Sequence, residues 1–233
     1  METMGGRDKT IVISGYYGFA NSGDEAVLHA ITTAVRNEAE AAGVNVRIVV
    51  LSANPEETMR IHGVEAVHRM RPLDLIRTLW GADALISGGG SLLQDVTSSR
   101  TVPYYLGVIH LAQLMRKPVY IYAQGIGPIH NRKRFGPMIR NRFLSCRYVS
   151  VRDEESKDLL VSFGLKPDSI EVVPDPVMGM GEGISSAVGK ASRGEWTVGV
   201  SVRYWREDRA DLKALAEGLR RVGEARPEVR FVL

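Results

Sequence analysis

The feature that most constrains the fold is a regular alternation of short β-branched runs with longer amphipathic segments. The short runs are almost continuously apolar, as in strands buried on both faces, whereas the longer segments have apolar residues at helical spacing. The predicted strands span residues 10–14, 46–51, 84–87, 119–122 and 148–151. The predicted helices span residues 24–41, 73–80, 104–115, 134–144 and 154–163. This order predicts an α/β fold whose parallel sheet is covered by helices on both faces.

A change of composition predicts a domain boundary near residue 177. Residues 174–194 are rich in Pro, Gly and Ser, and the segment after them predicts one strand, one helix and a second strand. Such a unit is too small to be a complete α/β domain, so we expect the natural chain to continue. The predicted organisation is a first domain at residues 1–177, a linker at 178–194 and the incomplete start of a second α/β domain at 195–233.

Composition favours an ordinary globular protein, since 44% of the 233 residues are hydrophobic and 24% are charged. The single cysteine, Cys146, cannot form an internal disulfide, and we therefore expect a reducing, cytoplasmic compartment. The first residues lack the apolar core of a signal peptide, and no stretch reaches about 18 consecutive apolar residues. Any membrane contact is therefore expected to be peripheral.

A glycine-rich segment follows the first predicted strand and leads directly into a helix. Residues 15–26 read G-Y-Y-G-F-A-N-S-G-D-E-A; Gly18 and Gly23 permit close approach of a ligand, and Asn21 and Asp24 are typical of a helix start. Backbone N–H groups at such a turn predict a site for an anion or a hydroxyl. The spacing matches neither G-x-G-x-x-G nor a P-loop, which disfavours dinucleotides and nucleoside triphosphates. The alternative is a turn that binds nothing.

Two more polar loops follow predicted strands, and the carboxyl edge of a parallel sheet is where ligands bind. Residues 87–95 read S-G-G-G-S-L-L-Q-D, and residues 124–130 read Q-G-I-G-P-I-H. Consecutive glycines leave the backbone bare for a ligand, and Gln94 and Asp95 can hold sugar hydroxyls, although capping of the next helix is the alternative. These loops contribute the predicted substrate-binding residues Gly89, Gly90, Gln94, Gln124 and Gly125.

The fifth predicted strand ends at Arg152, which we expect to lie at the same edge. Its planar guanidinium can bind a carboxylate or phosphate through two parallel hydrogen bonds. A structural ion pair with Asp153 or Glu155 is the alternative. Asp175 and Arg203 lie on either side of the predicted interdomain cleft and complete the predicted substrate-binding set.

Taken in order, the segments G-Y-Y-G-F-A-N-S-G-D-E-A, S-G-G-G-S-L-L-Q-D, Q-G-I-G-P, S-V-R-D-E-E-S, P-D-P-V and V-G-V-S-V-R-Y-W resemble the polysaccharide pyruvyl transferase family over essentially the whole chain. The resemblance is closest to bacterial members that modify secondary cell-wall polymers. It implies a GT-B-like fold of Rossmann-like domains, phosphoenolpyruvate as donor and Arg152 as one of its ligands. It also implies an acceptor that is a lipid-linked glycan containing N-acetylmannosamine, and a 4,6-ketal product that anchors surface-layer proteins.

The chain differs from the family's pattern at its carboxyl end. In the family, the second domain supplies further basic residues and a histidine, and the given sequence ends before that region. We therefore expect these residues alone to be inactive. The rivals are a nucleotide-sugar glycosyltransferase of the same architecture and a non-catalytic module that binds glycans or phosphate.

Formation of a ketal from phosphoenolpyruvate requires a proton for the methylene carbon, cations for the carboxylate and phosphate, and a base for the attacking hydroxyl. The chemistry requires neither a metal nor a nucleotide, so we expect no cofactor. The candidate catalytic residues are Asp24, Asp95 and His130. The other histidines show no metal-ligand spacing.

Basic residues are concentrated in one part of the chain. The net charge is only +3, yet residues 96–152 contain ten Lys or Arg and no Asp or Glu. We expect Arg132, Lys133, Arg140 and Arg142 on a helix to face the anionic inner leaflet of the cell membrane, and we expect no nucleic-acid partner. A solvated basic helix is the alternative.

Overall fold

The computed structural model describes residues 8–96, 98, 100–180, 196–202 and 209–232. The chain forms two compact units, residues 1–181 and 182–233. Most of the predicted linker lies outside the described residues, so its boundaries stay predictions.

The first unit contains eight strands and six α-helices within its described residues. The strands are β1 (Lys9–Tyr17), β2 (Val46–Ser52), β3 (Glu65–His68), β4 (Ala84–Gly88), β5 (Ser91–Leu93), β6 (Val119–Ile126), β7 (Tyr148–Val151) and β8 (Glu171–Val172). The helices are α1 (Ser22–Ala41), α2 (Pro55–His62), α3 (Pro72–Gly81), α4 (Thr101–Leu114), α5 (Arg132–Phe143) and α6 (Glu154–Ser162).

All the strand pairs are parallel, which confirms the predicted sheet. The strand order is β3-β2-β1-β4-β6-β7-β8, and the short β5 pairs with β6 beside this path. The chain first builds outward from β1 to β3 and then returns to place β4 on the other side of β1. The order therefore reverses between β1 and β4, and the carboxyl ends of these two strands flank the crevice where open α/β sheets bind ligands.

Each face of the sheet has its own apolar core. On one face, α1 packs Val27, Leu28 and Ile31 against β1 and β2. On the other, α3, α4 and α5 share a larger core that includes Leu79, Leu106 and Phe143. Strands such as Ile48–Leu51 contribute alternate side chains to both cores, which explains why their sequence is continuously apolar.

Helix starts are fixed by side-chain caps that also set the geometry of the carboxyl edge. Asn21 Oδ1 accepts from the Gly23 N–H at 3.1 Å, and Asp153 Oδ1 accepts from the Ser156 N–H at 2.8 Å. Asn131 caps α5 in the same way. Helices α1 and α5 therefore begin two residues before their predicted starts, at Ser22 and Arg132.

The second unit, within its described residues, is one strand–helix–strand motif. Strand β9 (Trp196–Gly199) pairs in parallel with β10 (Val229–Val232), and helix α7 (Ala210–Ala225) connects them and contacts β10. Among the described residues of both units, no helix has the length and apolar character required to cross a membrane.

Candidate active site

The loops after β1, β4, β6 and β7 meet at the carboxyl edge of the sheet, and Arg152 at the end of β7 connects several of them. Its Nη2 donates to Ser91 Oγ at 2.8 Å, its Nε lies 3.4 Å from Asp153 Oδ2, and its Nη1 lies 3.6 Å from Asp175 Oδ2. The side chain remains 34% exposed, so a ligand can reach the guanidinium. Arg152 thus forms the ion pair with Asp153 that was the alternative to binding a ligand, while its guanidinium remains partly exposed.

A glycine makes room for this arginine. A Cβ on Gly125 would lie 2.9 Å from Arg152 Nε and 2.9 Å from Ser91 Oγ, closer than real Cβ contacts. Any other residue at this position would displace the guanidinium or the serine. Gly125 therefore positions Arg152 by its lack of a side chain.

Asp24, in the first turn of α1, has a carboxyl group whose pKa lies well above its ordinary value. Burial, reinforced by the neighbouring carboxylates of Glu25 and Asp175, raises the pKa of Asp24 to about 6, although the charge of Arg152 opposes the rise. Its Oδ1 lies against Gly90, where a Cβ would come within 2.7 Å. A carboxyl group with a pKa of about 6 can both donate and accept a proton near neutral pH.

Glu25, the next residue, fixes the loop after β1. Its Oε1 accepts from the Gly18 N–H at 2.9 Å, and its Oε2 lies 2.8 Å from Nε2 of the buried His62 in α2. Gly18 has a positive φ of 77°, and a Cβ there would lie 2.1 Å from Ser52 Oγ. The loop is therefore tied to Glu25, which His62 holds in turn, and lies close against Ser52, as a rigid binding loop requires.

A cavity of about 940 Å³ opens beside Arg152, between the loop after β6 and helix α6. Its lining includes Ser91, Gly125, His130, Arg132 and Arg152. The cavity brings two arginines and an exposed histidine together with three carboxylates, Asp153, Glu155 and Asp158, and it is large enough for a small organic molecule.

The sequence identifies the family, because the family model of the polysaccharide pyruvyl transferases matches residues 21–224. The chain belongs to the polysaccharide pyruvyl transferase family. Solved structures agree with its GT-B-like fold, and no curated protein matches the chain.

Three of the similar structures are two UDP-N-acetylglucosamine 2-epimerases, one of them putative, and a protein solved with UDP. A putative UDP-N-acetylglucosamine 2-epimerase from Listeria monocytogenes is 11% identical with a TM-score of 0.63; the alignment covers 97% of this chain and 62% of that one. Anabaena Alr3699/HepE, solved with UDP, is 13% identical with a TM-score of 0.60 and coverages of 96% and 68%. The UDP-GlcNAc 2-epimerase from Methanocaldococcus jannaschii is 12% identical with a TM-score of 0.59 and coverages of 97% and 66%. This chain thus spans less than two thirds of the Listeria protein.

Not every predicted site residue of this pyruvyl transferase has a side chain that is free to contact a ligand at the carboxyl edge of the sheet. The carboxylate of Asp95 accepts from the backbone N–H groups of His130 at 2.7 Å and Asn131 at 2.9 Å. Although burial acts to raise the pKa of Asp95, these hydrogen bonds hold it below its ordinary value. Asp95 therefore joins two loops, and its role as a candidate catalytic residue stays a prediction. Gln94 is half-buried beside it.

Gln124 also differs from expectation, because its side chain is fully buried within β6. Its Nε2 has no hydrogen-bond partner within the described part of the chain, and its Oε1 lies 3.5 Å from Ser87 Oγ. A buried amide cannot hold a sugar hydroxyl in this conformation.

Gly23 lies in the first turn of α1 with a φ outside the left-handed region, and a Cβ there would meet only Asn21 Oδ1, at 3.5 Å. The local geometry therefore does not require glycine at this position, and the predicted contact of Gly23 with a ligand stays a prediction. Gly89 and Gly90 do have positive φ values, 70° and 69°. Arg203 lies outside the described residues.

Two residues at the edge were not anticipated. Arg69, only 9% exposed, stacks its guanidinium 4.2 Å from the Tyr104 ring centroid and donates to Tyr105 Oη at 3.3 Å. Tyr17 donates from its hydroxyl to the Gly88 carbonyl at 2.8 Å, and burial raises its pKa beyond the ordinary range. Arg69 follows β3, a strand too short and polar to predict, and Tyr17 resembles any loop tyrosine.

Proposed function

We propose that the protein transfers the pyruvyl group of phosphoenolpyruvate to a sugar of a lipid-linked cell-wall glycan precursor, forming a 4,6-ketal. The observation that supports this most directly is the juxtaposition of Arg152, which has exposed donors, with Asp24, whose pKa is about 6. One group suits an anionic donor, and the other suits proton transfer at neutral pH. N-acetylmannosamine is the proposed acceptor sugar, and anchoring of surface-layer proteins is the proposed role of the product.

In the proposed reaction, Arg152 binds the carboxylate or phosphate of phosphoenolpyruvate, replacing its long contacts to Asp153 and Asp175. The methylene carbon takes a proton, and the first sugar hydroxyl forms a bond to the central carbon as it loses its own proton. The C–O bond to phosphate then breaks, and the second hydroxyl closes the ring and releases its proton. Inorganic phosphate and the ketal are the products.

Asp24 is the proposed group that carries a proton between sugar hydroxyl and donor, because both its forms are populated near pH 6. His130, exposed at the rim of the cavity, is the second candidate. Gly18, Asn21, Gly89 and Gly90 are proposed to line the acceptor side, and Asp175 to contribute to the site beside Arg152. Arg203, which lies outside the described residues, stays a predicted substrate-binding residue.

The acceptor's lipid is proposed to bring the protein to the cytoplasmic face of the membrane. Arg132, Lys133 and Arg140 of α5 are exposed, while Arg142 is half-buried and pairs with His110. The first three cations suit an anionic leaflet, and Arg142 does so less than expected. In vesicle sedimentation, replacing Arg132, Lys133 and Arg134 by Ser should weaken binding to phosphatidylglycerol, and salt should have the same effect.

The decisive test is phosphate release from phosphoenolpyruvate by the full-length protein with a panel of lipid-linked acceptors. Release that depends on a mannosamine-containing acceptor supports the proposal. The fold shared with UDP-bound Anabaena HepE favours one rival, a transferase that uses a nucleotide sugar. Sugar transfer from a UDP-sugar without phosphoenolpyruvate would establish that rival and refute pyruvyl transfer.

A further inference from the structure

The outer surface of α3 carries an apolar stripe. Leu73, Ile76 and Trp80 are 69%, 41% and 72% exposed, and Met70, just before the helix, is 65% exposed. At 3.6 residues per turn, the three helical positions fall within an arc of about 60°. Leu75 and Leu79, which pack on the core, lie on a different face. The stripe is therefore a continuous apolar surface, unlike the isolated apolar side chains normal on a protein.

The surroundings of this stripe are cationic. Arg71, just before the helix, and Arg77, within it, are both exposed, and the helix has a single carboxylate, Asp74, 4.0 Å from Arg71. Helix α4 packs between α3 and α5, and neither α4 nor α5 contains an acid. From residue 70 to 147 the chain has eleven Lys or Arg and three Asp, although its total net charge is only +3.

We propose that this α3 surface (Met70, Leu73, Ile76 and Trp80 with Arg71 and Arg77) docks on the headgroup region of an anionic bilayer. A helix that lies in the interface buries an apolar stripe beneath the headgroups and keeps cations beside the lipid phosphates. Tryptophan suits this depth, since its ring is amphipathic. A second copy of the chain fits less well, because a symmetric pairing would bring like-charged arginines together.

The inference rests on the proposed function only for its purpose, which is to hold the cleft near a lipid-linked acceptor. It adds that α3 inserts, whereas α5 contributes charge alone. The cationic stretch by itself predicts neither the stripe nor its insertion.

The experiment uses the full-length protein and two vesicle types, phosphatidylcholine alone and phosphatidylcholine mixed with phosphatidylglycerol. Wild type should sediment with the mixed vesicles, and its tryptophan fluorescence, to which Trp80 contributes with two other tryptophans, should shift to shorter wavelength on binding. The pair Leu73→Ser and Trp80→Ser should weaken binding about tenfold or more, and so should Arg71→Gln with Arg77→Gln. Ile61→Ser is the matched control, because Ile61 is 50% exposed on α2.

Three outcomes would overturn the inference: equal binding to both vesicle types, binding that Leu73→Ser with Trp80→Ser leaves unchanged, or a dimer in solution that this pair dissociates. Turnover with a lipid-free acceptor separates the two proposals. The α3 variants should keep wild-type phosphate release in that assay. A wild type that binds vesicles but releases no phosphate would refute pyruvyl transfer and leave the docking surface standing.

Discussion

Asp24 Oδ1 lies against the bare Cα of Gly90, at a position where a Cβ would approach within 2.7 Å. The contact joins the start of α1 to the loop after β4, across the point where the strand order reverses. A glycine run and an acidic helix start, which are separate motifs in the sequence, therefore form a single structural unit.

Gly90→Ala should disturb this unit. The backbone of Gly90 has a φ of 69°, where an L-residue costs about 1–2 kcal/mol, and the new methyl group would also displace the Asp24 carboxylate. Pyruvyl transfer should fall more than stability does. Gly107→Ala in α4 is the control: a Cβ there meets nothing within 4 Å, and helix propensity favours alanine by about 1 kcal/mol. Equal activity of the two variants would contradict a role for the contact.

Asp24 should give both activity and stability a pH dependence. Its pKa of about 6 in the folded protein exceeds the ordinary value of 3.8, so the folded state binds the proton more tightly. The contribution to stability is therefore complete below about pH 4 and is lost as the pH rises through about 6. Asp24→Asn should remove this dependence from chemical denaturation curves.

The pH–rate profile checks the same group independently. The wild type should show a limb with an apparent pKa near 6, and Asp24→Asn should abolish most turnover. Asp168→Asn, at an exposed carboxylate, should leave the limb in place. A limb that persisted in Asp24→Asn with substantial turnover would assign the proton to another residue.

The sequence predicts the sheet well because a strand buried on both faces is continuously apolar, as Ile48–Leu51 shows. The strands that escape prediction are short or half-polar: β3, β5 and β8 are four, three and two residues long, and their neighbours hold them in the sheet. The position of the glycine loops directly after predicted strands is enough to predict that they lie together at the carboxyl edge of the sheet.

The fate of each polar residue at that edge is not predictable in the same way. Whether Asp95 is a free base or binds a backbone depends on a loop 35 residues away. Gln124 faces the core because β6 continues to Ile126, past the predicted end of the strand. The raised pKa of Asp24 arises first from burial, which the sequence does not show, and then from the neighbouring Glu25 and from Asp175, which is distant in sequence.

Replacing Arg152 by Ala tests the donor site. The variant loses a charge-assisted bidentate contact worth roughly 2–4 kcal/mol in the transition state, so kcat/KM for phosphoenolpyruvate should fall at least about tenfold. Arg147→Ala is the matched control. Arg147 is exposed and directly precedes the first residue of β7, and the activity of this variant should be close to that of the wild type. Wild-type turnover of Arg152→Ala at limiting phosphoenolpyruvate would exclude this arginine as a donor ligand.

The loop after β1 allows a comparison of two glycines five residues apart. Gly18→Ala should strain a positive φ and force a methyl group onto Ser52 Oγ, which costs about 1–3 kcal/mol or more. It should also break the hydrogen bond from the Gly18 N–H to Glu25, and thereby release the loop from His62. We expect a lower denaturation midpoint and a higher KM for the acceptor.

Gly23→Ala, in the first turn of α1, should be neutral or stabilising by up to about 1 kcal/mol and should leave the acceptor KM unchanged. The opposite order, with Gly23→Ala the more damaging change, would mean that the helix start contacts the acceptor and that the Gly18 turn only connects β1 to α1.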